Sequence, residues 1–338
     1  MKKIITKKIY YVILFIAIGI ITFFALLINY SVNSIDKKNA TVIVDIPTGS
    51  SFLKLTEILN DAGMIKSRIL FYSLVITRQA LSSIRAGEYE FNTSMTPSAV
   101  IDKLLRGEIK TYRVTIPEDL SVKEIAARLM EDKLIDEKSF FELAEDEEFL
   151  KSVGIKADSI EGYLFPETYY FDRSMSTRQI MRIMVNQFWK KVTPAMLERA
   201  KELGFSVHKY ITLASIIGKE SGNSDEKSLI SAVFHNRLKR KMRLQSDPTA
   251  VYDLENFAGA VRRSHLKRNS PYNTYIISGL PPGPIANPGL DSLKAALYPA
   301  NVNYLYFVAQ RDGSHFFSSS LEMHNQAISR YRVKKNKR

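Results

Sequence analysis

The feature that most constrains this chain is an uncharged stretch of twenty residues near its N-terminus, Ile9 to Ile28. A bilayer core about 30 Å thick needs about 20 helical residues, so the stretch is long enough to span a membrane. Lysines crowd the eight residues before it, whereas the two lysines that follow stand beside an aspartate. Because lysine-rich flanks stay in the cytoplasm, we predict a cytoplasmic tail at 1–8, a membrane helix at 9–30 and an extracytoplasmic (periplasmic) remainder.

A cleaved signal peptide is the alternative interpretation of this stretch. The apolar region of a signal peptide is typically about 7–15 residues long and ends in small residues at the cleavage site. Here the run is longer, and its exit, 29–33, reads Asn-Tyr-Ser-Val-Asn. Both features favour a retained single-pass anchor in the cytoplasmic membrane, with Tyr10, Tyr11 and Tyr30 as interfacial aromatics. The lipid bilayer is therefore a predicted partner.

Composition excludes several classes of protein. Hydrophobic residues make up 45% of the 338 residues and charged residues 25%, which is typical of folded domains and not of disordered chains or fibres. Cysteine is absent, which excludes a disulfide framework, a thiol nucleophile and a cysteine zinc site. The net charge is +13, but eight of the positive charges lie in the first eight and last five residues. The charge is thus a weak indication of nucleic-acid binding.

An internal repeat with an offset of 70 residues follows the anchor. Strand-like residues 41–47 and 112–117 both end in proline, and apolar positions then match from Leu55 with Ile125 to Phe71 with Phe141. Each copy predicts a strand, an amphipathic helix and a second helix, so 41–153 reads as two small α+β modules. Binding modules and a structural spacer both remain open.

Local signals mark further elements. Residues 86–91 predict a strand between the copies. Thr96 and Pro97 predict the start of a helix that Gly107 ends. Downstream, the aromatic segment 161–170 contains two glutamates; aromatic rings can carry sugar rings, but core packing is the favoured interpretation.

A candidate general acid lies in the C-terminal half. Leu213, Ile216, Ile217 and Glu220 share one helical face, and Gly222 is expected to end the helix just beyond it. An apolar face and the negative end of a helix both raise the pKa of a carboxyl, which a general acid requires. The pattern also leaves open a glutamate that turns into solvent.

Three neighbouring segments carry polar or basic groups. The cluster 237–243 is either a solvated helix end or an electropositive wall for an anionic polymer. In Leu-Gln-Ser-Asp-Pro-Thr, 244–249, Asp247 and Pro248 predict a turn before a helix, so that Gln245 and Asp247 are capping groups or ligands. The segment 278–289 has four prolines and three glycines, which predicts a rigid loop or connector. Asn287 lies in this segment.

Together these segments resemble the MltG (YceG-like) family of endolytic murein transglycosylases. The resemblance covers essentially the whole chain and rests on five strings: Glu161 to Tyr169, Leu213 to Ile217 with Glu220, Asn236 to Leu238, Leu244 to Thr249, and Gly279 to Gly289. It implies an α+β protein with one transmembrane helix, a LysM-like region at 41–153, a catalytic domain at 154–333 and a basic tail at 334–338.

The resemblance also implies an activity. Members cleave nascent glycan strands between MurNAc and GlcNAc and leave a 1,6-anhydro-MurNAc end, with the sugar's C6 hydroxyl as the nucleophile and one glutamate as acid and base. That glutamate maps onto Glu220, and Gln245, Asp247 and Asn287 are expected to position the sugar. Members often have a second glutamate at the position of Gly218, a local departure. Peptidoglycan and its synthases are implied partners; no metal, cofactor or nucleic acid is predicted.

Two alternatives remain. A non-catalytic peptidoglycan-binding scaffold would keep the modules but not need Glu220. A nucleic-acid-binding protein would use the basic cluster at 237–243, although an export signal argues against it. Replacing Glu220 by glutamine separates the first alternative from an enzyme.

Overall fold

The computed structural model describes residues 2–36, 39–79, 84–255 and 257–332. Within these ranges the fold is mixed α and β with a long apolar N-terminal helix, as predicted. Lys37, Lys38 and the predicted basic tail at 334–338 lie outside the described residues. The chain packs as two compact units, Met1–Tyr112 with Asp172–Met175, and Arg113–Phe171 with Ser176–Arg338.

Among its described residues, the first unit has a long helix, three short helices and a two-stranded antiparallel sheet. Its elements are α1 (Lys2–Val32), β1 (Thr41–Ile46), α2 (Phe52–Asp61), α3 (Arg68–Thr77), β2 (Gly87–Asn92) and α4 (Pro97–Arg106). In the sheet, Val44 of β1 pairs with Tyr89 of β2, and both side chains are buried. Alternate strand residues therefore face a core that the helices close from the other side.

Helix α4 shows that capping signals set its limits. The Thr96 side chain accepts a hydrogen bond from the Ala99 amide at 3.2 Å, and Pro97 is the first helical residue. Gly107 ends the helix in the left-handed region at φ 61°. The sequence prediction for this helix is confirmed, because both ends depend on local residues alone.

The second copy of the repeat consists of β3 (Tyr112–Thr115), α5 (Val122–Glu131) and α6 (Glu137–Ala144). Helices α2 and α5 begin 70 residues apart, each capped by a serine, whereas α3 and α6 begin 69 residues apart. The loop between the helices is one residue shorter in the second copy, so buried Phe71 corresponds to buried Phe140. The predicted match of Phe71 with Phe141 is wrong by that one residue.

The second copy packs in the same unit as the C-terminal half, whereas the sequence placed a boundary between 153 and 154. The remaining elements of that unit are α7 (Glu147–Ser152), β4 (Thr168–Phe171), α8 (Thr177–Lys191), α9 (Pro194–Glu202), α10 (Val207–Glu220), α11 (Lys227–Lys239), α12 (Arg263–Leu266), α13 (Leu290–Leu297), β5 (Tyr306–Ala309), β6 (His315–Ser318) and α14 (Leu321–Arg332). Strand β3 pairs with β4, and β5 pairs antiparallel with β6.

Helix α10 forms the centre of this unit. Residues 210–218 are buried without interruption, and the helix packs chiefly against α13. Most of the aromatic segment 161–170 is core as well: Tyr163, Phe165 and Tyr169 are buried, although Tyr170 is exposed. The favoured core interpretation of that segment is therefore confirmed. A helix buried on all sides is held rigidly, which fixes the position of any side chain at its end.

Candidate active site

Glu220 is the last residue of α10. Ser221 leaves the helix in an extended conformation, and its amide donates to the carbonyl oxygens of Ile217 at 3.1 Å and Gly218 at 3.2 Å. Gly222, the predicted terminator, lies beyond this end and does not cap it. The helix ends one residue earlier than expected, and Glu220 stands where the buried helix reaches the surface.

The Glu220 carboxyl is enclosed by the segment 244–247. The Ser246 hydroxyl donates to Glu220 Oε1 at 2.5 Å, and the Asp247 backbone amide donates to the same carboxyl. Burial raises the pKa of Glu220 to about 7, against the opposing effect of the Ser246 hydrogen bond, and the nearby Asp247 charge raises it further. The residue as a whole is half-buried. The alternative of a glutamate in open water is therefore wrong.

The backbone of 245–247 directs its side chains alternately. Gln245 adopts a left-handed conformation, φ 52°, while its amide donates to Thr274 O at 3.1 Å and the Ser246 amide to Thr274 Oγ1 at 3.0 Å. Ser246 consequently faces inward, at 1% exposure, and Gln245 and Asp247 face solvent. A positive φ at a non-glycine residue is strained, and such strain is concentrated at functional sites.

Arg237 of α11 fixes the segment 244–247 by hydrogen bonds. It is 6% exposed and donates to the carbonyl oxygens of Leu305 at 2.7 Å and Leu244 at 2.6 Å, and to Gln245 Oε1 at 3.4 Å. Arg237 therefore does not belong to a solvated cluster or an electropositive wall, unlike Lys239 and its exposed basic neighbours. Its guanidinium is hydrogen-bonded to carbonyl oxygens and is therefore not available to bind a polyanion.

Asp247 is not a helix cap. Residues Asp247–Ala250 form a short 3-10 turn whose first residue follows Ser246, with no side-chain capping bond. The Asp247 carboxylate instead accepts a 2.5 Å hydrogen bond from the Tyr275 hydroxyl. The exposed Asp247 carboxylate and Gln245 amide thus flank Glu220, each oriented by a fixed neighbour.

Asn287 has a different environment. It is 1% exposed, and its four side-chain hydrogen bonds go to Leu120 O, Glu161 Oε1 and the amides of Gly162 and Leu164, at 2.8–3.0 Å. Glu161, itself 4% exposed, also accepts from the Val122 amide at 3.1 Å and the Tyr252 hydroxyl at 2.9 Å. The structure brings Glu220, Gln245 and Asp247 together and places Asn287 in this second, buried cluster.

A third carboxylate touches the helix that carries Glu220. A Cβ at Gly218 would overlap the Asp119 carboxylate, which lies against the last turn of α10. Asp119 has a left-handed backbone, φ 63°, and burial raises the pKa of its carboxyl to about 6. The space of a side chain at 218 is thus occupied by Asp119.

Ser246, Tyr275 and Arg237 belong to the site but were not singled out as site residues. Ser246 lies between two predicted ligands in the 244–249 string, and this position in the sequence could have identified it as a site residue. Tyr275 comes from a distant segment in which no sequence feature indicates a role in the site. Within the described ranges, no group of three His, Asp or Glu side chains is placed to hold a metal ion.

Comparisons with known proteins identify relatives of the chain. The model of the YceG-like family matches residues 44–330. The chain is similar to an endolytic murein transglycosylase of Bacillus subtilis, 36% identical over 88% of this chain and 87% of that one. One from Streptococcus pneumoniae is 27% identical over 86% of this chain and 58% of its own length. A crystal structure of a YceG-like protein from Listeria monocytogenes has a TM-score of 0.59 at 33% identity, covering 86% of this chain and all of that one.

The family match and the named relatives indicate an enzyme class, the lytic transglycosylases, as the sequence predicted. Within that class, the chain belongs to the YceG-like family.

Proposed function

We propose that the protein is a membrane-anchored endolytic transglycosylase of peptidoglycan. It cleaves the MurNAc–GlcNAc β-1,4 bond of nascent glycan strands, leaves a 1,6-anhydro-MurNAc end and so terminates or trims strand elongation. The observation that carries this proposal is the Glu220 carboxyl, half-buried, bonded by Ser246 and with a pKa of about 7. Relatives named endolytic murein transglycosylase support the substrate class.

The chemistry needs one group that gives a proton and then takes one. Protonated Glu220 donates to the glycosidic oxygen as the C1–O bond breaks, and the GlcNAc hydroxyl leaves. The C6 hydroxyl oxygen of MurNAc then bonds to C1, and its proton passes to the Glu220 carboxylate. The acid is regenerated, and no water is consumed. A Glu220 pKa near 7 suits both proton transfers, because neither protonation state of the carboxyl is strongly disfavoured at neutral pH.

Gln245 and Asp247 are proposed to position the sugar. Both side chains are exposed beside Glu220, and Arg237 and Tyr275 fix their orientation before substrate arrives. Preorganised polar groups lose little entropy on binding. Alanine at either position should reduce turnover on purified glycan, and unchanged turnover would remove that residue from the proposal. The complete internal hydrogen bonding of Asn287 gives no support for a sugar contact.

The anchor and modules complete the proposal. Within α1, Lys7–Val32 is long and apolar enough to cross a membrane, and the lysines before it favour a cytoplasmic N-terminus. The LysM-like region is proposed to bind or space glycan, and peptidoglycan synthases are proposed partners. A catalytic domain outside the membrane would meet strands as they are made.

Product analysis in H₂¹⁸O tests the reaction type. Purified glycan strands are digested with the full-length enzyme and analysed by mass spectrometry. An intramolecular attack consumes no water and therefore gives anhydro ends without ¹⁸O. Reducing ends that carry ¹⁸O would show hydrolysis instead. Binding without any new ends would support the scaffold alternative.

A further inference from the structure

Helix α3 of the first unit is apolar on two sides. Phe71, Leu74 and Val75 face the core, as expected. On the opposite side, Ile69 is 75% exposed and Ile76 46%. With Tyr72 they recur every three or four residues and therefore form one stripe along the helix. A soluble helix of this size normally has polar residues on its outer side.

Leu53 of α2 extends this stripe. It is 71% exposed and lines the same surface depression as Ile69 and Tyr72. We call the set Leu53, Ile69, Tyr72 and Ile76 the apolar face. Lys54, Glu57 and Arg68 line the same depression. Large apolar residues exposed together in this way indicate contact with a partner or a membrane.

The second copy of the repeat has charged residues at three of these four positions, and only Tyr72 has an aromatic counterpart, the partly buried Phe141. With the offsets of 70 residues in the first helix and 69 in the second, Leu53 corresponds to Lys123, Ile69 to Lys138 and Ile76 to Glu145, and all three are exposed. The same supersecondary unit therefore packs with charged residues at the positions of Leu53, Ile69 and Ile76. The apolar face is not required by the fold of the module.

What distinguishes the first copy is its contact with α1. Leu27 of α1 is 4% exposed within the core of the module, and the Tyr30 hydroxyl donates to Ser67 O, at the N-cap of α3, at 3.3 Å. Tyr30, predicted as an interfacial aromatic, thus binds the module. The end of the anchor therefore packs directly against the module.

The length of the anchor then sets the height of the module above the bilayer. If Ile9 to Ile28 fill a core about 30 Å thick, at about 1.5 Å per residue, Leu27 lies at its outer boundary. Module surface beside Leu27 and Tyr30 falls in the headgroup layer, and Ile69 is two residues from Ser67. We propose that the apolar face inserts into the outer headgroup boundary of the bilayer that α1 spans. The proposal rests on the anchoring in the proposed function.

Site-directed spin labelling tests this directly, because the chain has no cysteine. Full-length I69C and I76C carry a nitroxide in phosphatidylethanolamine–phosphatidylglycerol nanodiscs. Lys138→Cys is the matched control from the second copy, and Phe15→Cys, at 78% exposure in α1, is the lipid reference. Collision rates with oxygen, which concentrates in lipid, and with an aqueous nickel chelate are compared.

We expect the oxygen-to-nickel ratio at Ile69 and Ile76 to exceed that at Lys138 by about threefold or more, as for an interfacial helix. A ratio equal to the Lys138 value, with Phe15 in lipid, overturns the inference and leaves the anchor intact. Shielding from both probes indicates a protein contact and also overturns it. A water-exposed label at Phe15 overturns the anchor as well. Turnover of wild type on soluble glycan reports on the catalytic proposal separately.

Discussion

The Ser246 hydroxyl lies 2.5 Å from Glu220 Oε1 and donates its hydrogen bond to that oxygen. Two opposed effects therefore act on one carboxyl. Burial favours the protonated form, and the hydrogen bond favours the charged form, with a resulting pKa of about 7. This balance is what a group that alternates between acid and base requires.

Ser246→Ala should shift this balance. Loss of the hydrogen bond raises the pKa of Glu220, so the upper limb of the pH–rate profile moves to higher pH. Turnover at neutral pH should fall about 10- to 150-fold, because the carboxylate that forms on proton transfer loses a hydrogen bond worth about 1.5–3 kcal/mol. The profile is measured on purified glycan, with the melting temperature as a folding control. A profile that stays in place would contradict the role of Ser246.

Asn287→Ala should act on stability. The substitution leaves the amides of Gly162 and Leu164 without an acceptor and removes a donor to Glu161. Unsatisfied buried groups cost about 1–3 kcal/mol each, so the free energy of unfolding should fall by about 3 kcal/mol or more. Chemical denaturation measures it. A variant as stable as wild type but inactive would instead support the predicted sugar contact.

Glu161 should make stability depend on pH. Burial raises the pKa of its carboxyl from 4.5 to about 7, so between these values the folded state holds a proton that the unfolded state has lost. Its contribution is present below pH 4.5 and is lost as pH rises through 7, with a slope of up to about 1.4 kcal/mol per pH unit. Glu161→Gln removes this titration, so its unfolding free energy should vary less over the same range. Equal slopes would refute the assignment.

Gly218→Ala should disturb the last turn of α10. The added Cβ overlaps the Asp119 carboxylate, and overpacking of this kind costs about 1–3 kcal/mol. The double variant with Asp119→Gly should recover the melting temperature, because glycine accepts the left-handed backbone at 119. If the second substitution gives no recovery, the contact between the two residues does not limit stability.

Local signals predicted the elements, and long-range contacts explain most differences. Thr96, Pro97 and Gly107 set α4 because capping depends on neighbours in sequence. The end of α10 differed because the backbone of Ser221, rather than that of Gly222, leaves the helical conformation. The one-residue slip between Phe71 and Phe140 follows from a shorter loop, which an ungapped repeat cannot show.

The site was predictable where one segment carried it. Gln245 and Asp247 lie in one short string, and both face solvent. Ser246, between them, faces inward. Arg237 was hidden in a basic run, because charge pattern alone does not distinguish a buried guanidinium from exposed ones. Asn287 was recognisable as a polar residue in its string. Its buried environment was not predictable, because its partners Leu120 and Glu161 lie in distant segments of the sequence.

The most direct test of the account is single-turnover cleavage of purified glycan by Glu220→Gln beside Glu161→Gln. Both variants replace a buried carboxyl whose pKa is about 7, but only Glu220 faces the proposed substrate. We expect Glu220→Gln to keep glycan binding and melting temperature while forming anhydro ends about 10²–10⁴-fold more slowly. Glu161→Gln should lose stability and retain most of its rate when folded. Anhydro ends formed by Glu220→Gln at the wild-type rate would contradict the account.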